Sequence, residues 1–240
     1  MRYIFDVDNT LAPSSQMMTE EMQRVFEKFA QANAFYLTSG SDMNKMKTQV
    51  PAHILDMATA LFPVLGGQMW VKGQQVYAKT FEWPDGLKED LDRILELTEC
   101  PEKTGDHIQN RGAMVCFSTV GKAAGLDARK RYVAFDEAMQ ERKNIVATLS
   151  QKYPDLELTI GGETSIDISM PGHDKSQVLP EVRKDYSGPL TLFGDKTMPG
   201  GNDRPLAEVL KAEGGENMVQ AVDDWQHTLR ILSKMVQNAA

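Results

Sequence analysis

The sequence predicts an α/β fold in which a core with a parallel sheet is interrupted by a separate α+β insert. The chain opens with a buried strand, an amphipathic helix and a second buried strand. No hairpin signal lies between them, which implies a right-handed crossover and parallel pairing. Around residues 81–86 the pattern changes, and after Gly172 the alternation of strands and helices returns. The core is therefore expected to consist of two separate stretches of chain.

Apolar patterns define the elements of the first core stretch. Residues 3–5 form an apolar run that predicts a buried strand, and residues 34–37 predict the second. Thr19 is a plausible helix N-cap, and it is followed by apolar residues at i, i+3, i+4 and i+7, namely Met22, Val25, Phe26 and Phe29. Residues 61–77 predict a short strand and a hairpin that turns at Lys72-Gly73.

The insert is expected to hold an antiparallel sheet with one face covered by two helices. Apolar residues at helical spacing mark the two helices, with Leu87, Leu91, Ile94 and Leu95 in the first and Phe135, Met139, Val146 and Leu149 in the second. Residues 113–120 predict one strand of the sheet. Alternating apolar residues predict two more, within residues 156–160 and 166–170.

The boundaries follow from these patterns. Residues 1–81 and 173–240 are expected to form the core domain, and residues 82–172 the insert. The second core stretch alternates strand, helix, strand and helix, near residues 190–193, 204–210, 217–222 and 225–236.

Composition excludes several kinds of partner. A formal net charge of -8 argues against a nucleic acid or an anionic membrane surface, since both are bound mainly through clustered Lys and Arg. Cys100 and Cys116 form no CxxC pair or zinc spacing and are expected to be reduced thiols. No secretory signal and no apolar stretch of membrane-spanning length is seen. A cytoplasmic protein, a monomer or a homodimer, is expected.

Asp6 and Asp8 follow the first predicted strand at its carboxyl end, where open α/β sheets bind ligands. Two adjacent carboxylates repel each other, and a hard divalent cation, which prefers oxygen ligands, would relieve the repulsion. The alternative is a strand-end turn with solvated carboxylates, because Asp and Asn are common turn residues.

A second acidic cluster follows a later strand. Within residues 194–203, three glycines permit a tight backbone path, and Asp195, Asn202 and Asp203 supply oxygen ligands for a hard cation. A simple loop is the alternative. Lys175, at the return into the core, has a compact ammonium that would balance the carboxylates, although a solvated surface lysine has the same pattern.

Alternation places Ser165, Asp167 and Ser169 on one face of a predicted strand in the insert. If helices cover the opposite face, these polar residues remain on the open face. The face is either a substrate-binding surface or a plain solvated one.

Four stretches in this order resemble the motifs of the haloacid dehalogenase superfamily of phosphotransferases: residues 6–10, residues 39–42, Lys175 and residues 194–203. The last stretch, together with residues 161–175, is similar to the eukaryotic-type phosphomannomutases, and the similarity extends over nearly the whole chain. The resemblance implies a doubly wound core with a type IIB α/β cap.

The resemblance also implies roles for individual residues. Asp6 would be the nucleophile that forms an aspartyl phosphate, and Asp8 the general acid and base. Mg²⁺ would be held by Asp6, the Asp8 carbonyl and Asp195, with Asn202 and Asp203 in support. Phosphate would meet Ser39 and Lys175, with Ser41 as a second candidate. The residues expected to bind the sugar phosphate are Arg111, Lys122, Ser165 and Asp167.

Two departures from the family pattern bear on the reaction. Lys122 and Ser15 stand where the family carries arginine, and lysine lacks the bidentate fork of arginine. A mutase must hold a bisphosphorylated intermediate at its far phosphate, whereas a phosphatase needs one phosphate site and a water. The leading interpretation is a Mg²⁺-dependent phosphatase of a small phosphorylated sugar or related metabolite. The alternatives are a phosphomannomutase and a catalytically silent phosphosugar-binding protein.

Overall fold

The computed structural model describes residues 1–238. Contacts within the chain divide it into two compact units. The first unit contains Met1–Ala78 and the chain from Asp174 onward, and the second contains Lys79–His173. Each unit has its own sheet.

The first unit begins with five strands and three helices. In chain order they are β1 (Arg2–Asp6), α1 (Glu20–Ala32), β2 (Phe35–Thr38), α2 (Met43–Gln49), α3 (Ala52–Met57), β3 (Ala60–Phe62), β4 (Gln68–Val71) and β5 (Gln74–Ala78). The Thr19 hydroxyl accepts a hydrogen bond from the Met22 N–H at 3.3 Å, so the predicted N-cap does begin α1.

The second unit contains three helices and four strands. They are α4 (Leu87–Leu97), β6 (Ile108–Asn110), β7 (Met114–Phe117), α5 (Leu126–Met139), α6 (Glu141–Lys152), β8 (Glu157–Gly161) and β9 (Ser165–Ser169). The first unit then resumes with α7 (Val178–Asp185), β10 (Leu190–Gly194), α8 (Arg204–Glu213), β11 (Met218–Ala221) and α9 (Trp225–Asn238).

The sheet of the first unit has seven strands in the order β11-β10-β1-β2-β3-β4-β5. β1 lies between β10 and β2, and its pairing with both is parallel. β4 and β5 add an antiparallel edge through the predicted hairpin. Because parallel strands end at the same edge, the residues that follow β1, β2 and β10 come together there.

Helices cover both faces of this sheet. Phe5 packs with Phe26 and Phe29 of α1 on one face. Its neighbour Ile4 points to the opposite face and packs with Leu206 of α8. The structure therefore confirms the predicted α/β fold class, and the core is doubly wound.

The sheet of the second unit is antiparallel, in the order β6-β7-β9-β8. Apolar residues of β7 and β9 pack with α4 and α6, including Val115, Phe117, Ile166 and Ile168 from the strands and Leu87, Leu91, Ile145 and Leu149 from the helices. One face of the sheet is thus covered by two helices.

The prediction of the second helix in the insert was wrong in one respect, because this segment forms two helices, α5 and α6. The chain breaks at Gln140, whose φ of 52° is left-handed and cannot continue a helix. The Asp136 carboxylate accepts a hydrogen bond from the Arg142 N–H at 2.8 Å and so supports the start of α6. α5 packs separately, through Ala128 and Tyr132.

Among residues 1–238, no helix combines the length and the apolar character needed to cross a membrane.

Candidate active site

A buried lysine lies between two carboxylates at the end of β1. The Lys175 Nζ donates to Asp6 Oδ1 at 2.5 Å and to Asp203 Oδ1 at 2.6 Å. The side chains of Lys175 and Asp203 are completely buried, and Asp6 is 3% exposed. A buried ammonium requires such partners, since an unpaired charge in the interior is very costly. The alternative of a solvated surface lysine is therefore wrong.

The loop that follows β10 holds Asp203 in this position. A Cβ at Gly194 would lie 2.7 Å from the Asp203 carboxyl carbon, so only glycine leaves room for this side chain. The second carboxylate oxygen of Asp203 accepts a hydrogen bond from the Lys196 N–H at 3.0 Å. Both oxygens of Asp203 are thus engaged by donors.

Asp195 is held by the loop that follows β1. Its N–H donates to the Thr10 hydroxyl at 3.1 Å, and its Oδ2 accepts from the Asn9 side-chain amide at 3.0 Å. Asp195 comes directly after β10, which neighbours β1 in the sheet. The parallel pairing of the two strands therefore brings these distant residues together.

Asp6, Asp195 and Asp203 each offer a carboxylate oxygen, and these oxygens lie within 4.8 Å of one another. The oxygens around a bound Mg²⁺ are roughly 3–4 Å apart, so the spacing fits a small hard cation that also keeps water ligands. When all are ionised, the three carboxylates carry two more negative charges than the buried Lys175 ammonium neutralises, and Lys196 offsets part of the charge on Asp195. The donor set therefore fits a divalent cation.

The pKa values of this cluster show the same charge imbalance. Burial raises the pKa of Asp6 to about 8; the Lys175 ammonium opposes the shift, while Asp203 and Asp195 add to it. Burial also raises the pKa of Asp195, with Asp203 contributing. The pKa of Lys175 is raised because its two carboxylate partners outweigh the effect of burial, and it stays protonated. A cation that binds here must displace protons from the carboxyl groups.

Asp8 lies beyond the strand, and two donors meet one of its oxygens. Asp8 Oδ1 accepts from the Ser15 N–H at 2.7 Å and from the Gln49 side-chain amide at 2.6 Å. The Gln49 side chain, at the end of α2, is fully buried. Sequence patterns did not reveal Gln49, since a single glutamine at a helix end carries no local signal of this contact.

The remaining predicted site residues of the first unit lie in two loops, with Ser39 and Ser41 after β2 and Asn202 before α8. The Ser39 hydroxyl, directly after β2, accepts from the Ser41 N–H at 3.0 Å, and both serines are buried. Asn202 is half-buried in the loop that precedes α8. Ser39 is therefore close to the strand end at which Asp6 lies, because Thr38 pairs with Asp6.

In the second unit the structure brings Lys122 and Ser165 together. The Lys122 Nζ lies 2.8 Å from the Ser165 hydroxyl and 2.8 Å from the sulfur of Cys116. Asp167 pairs with Cys116 across the sheet, so both side chains point to the face opposite the apolar cluster. The Arg111 guanidinium donates to the Gln109 side chain at 3.0 Å. Sequence patterns did not indicate that Cys116 lies among these residues.

Comparison with known proteins identifies the family. The model of the eukaryotic phosphomannomutase family matches residues 22–238. The chain is 30% identical to the phosphomannomutase of Saccharomyces cerevisiae, over 97% of this chain and 92% of the relative. It is 32% identical to that of Schizosaccharomyces pombe, over 83% of this chain and 82% of the relative.

Solved structures share the fold. The C-terminal domain of a trehalose-6-phosphate phosphatase from C. albicans superposes with a TM-score of 0.63 at 15% identity, covering 98% of this chain and 91% of that one. SMU.1108c from Streptococcus mutans superposes with a TM-score of 0.61 at 15% identity, covering 98% of each chain. Together with the sequence matches, this fold confirms the resemblance seen in the motifs: the chain belongs to the eukaryotic phosphomannomutase family of haloacid dehalogenase phosphotransferases.

Proposed function

We propose that the protein is a Mg²⁺-dependent phosphatase that hydrolyses a small phosphorylated sugar through a phosphoenzyme at Asp6. The observation that carries the proposal is the buried contact of Asp6 with Lys175 at the end of β1. A protonated lysine at a carboxylate stabilises its ionised, nucleophilic form and the charge that develops on a transferring phosphoryl group. A silent binding protein would not need this costly buried pair.

In the first step, an Asp6 carboxylate oxygen forms a bond to phosphorus and the bond from phosphorus to the sugar oxygen breaks. Asp8, protonated at this stage, gives its proton to the departing oxygen. The Ser15 N–H and the Gln49 amide fix the orientation of Asp8 by binding its Oδ1. The products are the free sugar and an aspartyl phosphate.

In the second step, water attacks the phosphorus while Asp8, now a carboxylate, takes up a proton from the water. The bond between Asp6 and phosphorus breaks, which returns Asp6 to its ionised form and releases inorganic phosphate. Lys175 remains protonated throughout, in line with the direction of its pKa shift. Ser39 and Ser41 are proposed to bind the phosphate oxygens near the end of β2.

Mg²⁺ would be held by Asp6, Asp195 and the Asp8 carbonyl, with Asn202 in support, and when bound it neutralises carboxylate and phosphate charge. Asp203 has a different part in this proposal. Because its two oxygens accept from Lys175 and from the Lys196 N–H, Asp203 would mainly orient the lysine.

Two residues favour hydrolysis over a mutase reaction. Ser15 contributes its backbone N–H to Asp8, and the positive charge beside its side chain is the Lys45 ammonium, which donates to the Ser15 hydroxyl at 3.0 Å and lacks the bidentate fork of an arginine. The ammonium of Lys122 already contacts Ser165 and Cys116.

The second candidate is phosphomannomutase, which the names of the relatives favour.

The predicted binding residues of the second unit are proposed to determine the substrate specificity. Arg111, Lys122, Ser165 and Asp167 supply two cations, a hydroxyl and a carboxylate, which suit a phosphorylated sugar. Charged donors bind phosphate oxygens, and a carboxylate accepts from sugar hydroxyls. The chemistry itself would remain with the first unit.

Purified protein is expected to release inorganic phosphate from members of a hexose phosphate panel when Mg²⁺ is present. The reason is that Asp8 can activate water at the phosphoenzyme, and excess chelator should abolish the release. A coupled assay for conversion of mannose 1-phosphate into mannose 6-phosphate, with and without a hexose bisphosphate, is run beside it. Conversion that exceeds phosphate release would favour the mutase, and neither activity would favour a binding protein.

Arg111→Ala is expected to lower kcat/KM for the preferred sugar phosphate by roughly 10- to 100-fold, because a charge-assisted contact is lost. Hydrolysis of an aryl phosphate, which lacks the sugar, should change by less than about twofold. Arg131→Ala is a matched control, since Arg131 is also in the second unit and is paired with Glu102. Equal losses on both substrates would show that Arg111 does not select the sugar.

A further inference from the structure

Asn9 occupies an unusual position at the end of β1. Its φ of 63° lies in the left-handed region, which glycine and asparagine tolerate best. Its side-chain amide donates to Asp195 Oδ2 at 3.0 Å, across a separation of 186 residues. An asparagine that served only the turn would be expected to bond to the backbone of its own loop.

The adjacent residue binds the same aspartate. The Thr10 hydroxyl accepts from the Asp195 N–H at 3.1 Å. Asn9 and Thr10 therefore hold both the backbone and the carboxylate of Asp195. Because a carboxylate oxygen can only accept, the amide must present its N–H₂ group to Asp195, and its orientation is determined.

Asp195 belongs to the carboxylate cluster with Asp6 and Asp203. Asp195 is half-buried rather than fully enclosed, so hydrogen bonds as well as packing hold its carboxylate against rotation. The Asn9 amide binds one oxygen and stops that rotation. Each carboxylate oxygen has two acceptor sites, so a bound Asp195 can still ligate a cation.

We propose that Asn9 is a positioning residue, which holds the Asp195 carboxylate in the orientation that a Mg²⁺ ion requires. This inference rests on the proposed Mg²⁺-dependent function. Replacing a residue that orients a metal ligand typically weakens metal affinity 10- to 100-fold. Mg²⁺ demands near-ideal octahedral geometry, whereas Ca²⁺ accepts flexible geometry and more ligands. Fixing Asp195 should therefore favour Mg²⁺ over Ca²⁺.

The test compares wild type with Asn9→Gly, because glycine keeps the left-handed φ at no cost and removes only the amide. Kd for Mg²⁺ and for Ca²⁺ is measured by calorimetry on protein freed of metal, and Tm is measured with and without each ion. Asn33→Ala is the control, since Asn33 donates to the Phe29 carbonyl elsewhere in the same unit.

Asn9→Gly is expected to raise Kd for Mg²⁺ by about 10-fold and Kd for Ca²⁺ by less than about threefold. Asn33→Ala should leave both constants at the wild-type values. An unchanged Kd for Mg²⁺, or equal losses for the two ions, would overturn the positioning role. If wild type itself shows no Mg²⁺ binding and no Mg²⁺-dependent phosphate release, both the proposed function and the positioning role are wrong. If wild type shows both and only the Kd of Asn9→Gly is unchanged, the positioning role alone is wrong.

Discussion

Asp6→Asn should lower phosphate release by roughly 10³-fold or more, because the amide cannot form the bond to phosphorus. No phosphoenzyme should be detected by rapid acid quench with a ³²P-labelled substrate. The fold should persist, since the amide oxygen can still accept the hydrogen bond from the Lys175 ammonium. An Asp6→Asn protein that still becomes labelled would refute the assignment of the nucleophile.

Asp8→Asn is the matched variant for this experiment. Its amide oxygen can keep both hydrogen bonds, from the Ser15 N–H and the Gln49 amide, so the local geometry should be retained. Only the ability to give and take a proton is removed. With an aryl phosphate, whose leaving group needs little protonation, labelled phosphoenzyme should accumulate because water is no longer activated. Loss of labelling in both variants would mean that the two roles cannot be separated in this way.

Lys175→Met should cost about 3–5 kcal/mol in the free energy of unfolding, because Asp6 and Asp203 lose a buried ionic partner. Methionine fills a similar volume, so a cavity is not the expected cause. Activity should fall with it, since no ammonium remains beside the nucleophile. Urea unfolding followed by circular dichroism measures the stability change.

The stability loss in Lys175→Met should grow with pH. Lys175 lowers the pKa of Asp6, which is about 8 in wild type, so the folded variant keeps this proton to higher pH. The free energy of unfolding falls with rising pH wherever the folded state binds more protons than the unfolded state. The gap between the two proteins should therefore widen above about pH 8.

Lys184→Met is the control for this experiment, because Lys184 is mostly exposed and paired with Glu181 on the surface. Its effect should be below about 1 kcal/mol. An equally small effect of Lys175→Met would show that the buried pair does not stabilise the fold.

The sequence by itself determined the fold class and the order of the chemical motifs. Apolar runs followed by polar residues were sufficient, because parallel strands bring their carboxyl ends to one edge and so bring Asp6 near Asp195. The sequence did not predict the short helices α2, α3 and α7, and it predicted one continuous helix where the chain breaks at Gln140. Apolar spacing continues across that residue, and spacing carries no information about a left-handed φ.

Only the tertiary structure decided which partners these residues have. It shows Lys175 fully buried between Asp6 and Asp203, and it brings Gln49 to Asp8 and Asn9 to Asp195. The last contact joins residues 186 positions apart. Local propensity and periodicity describe neighbours along the chain, whereas such contacts depend on how separate strands and loops pack and on which buried polar groups must be satisfied.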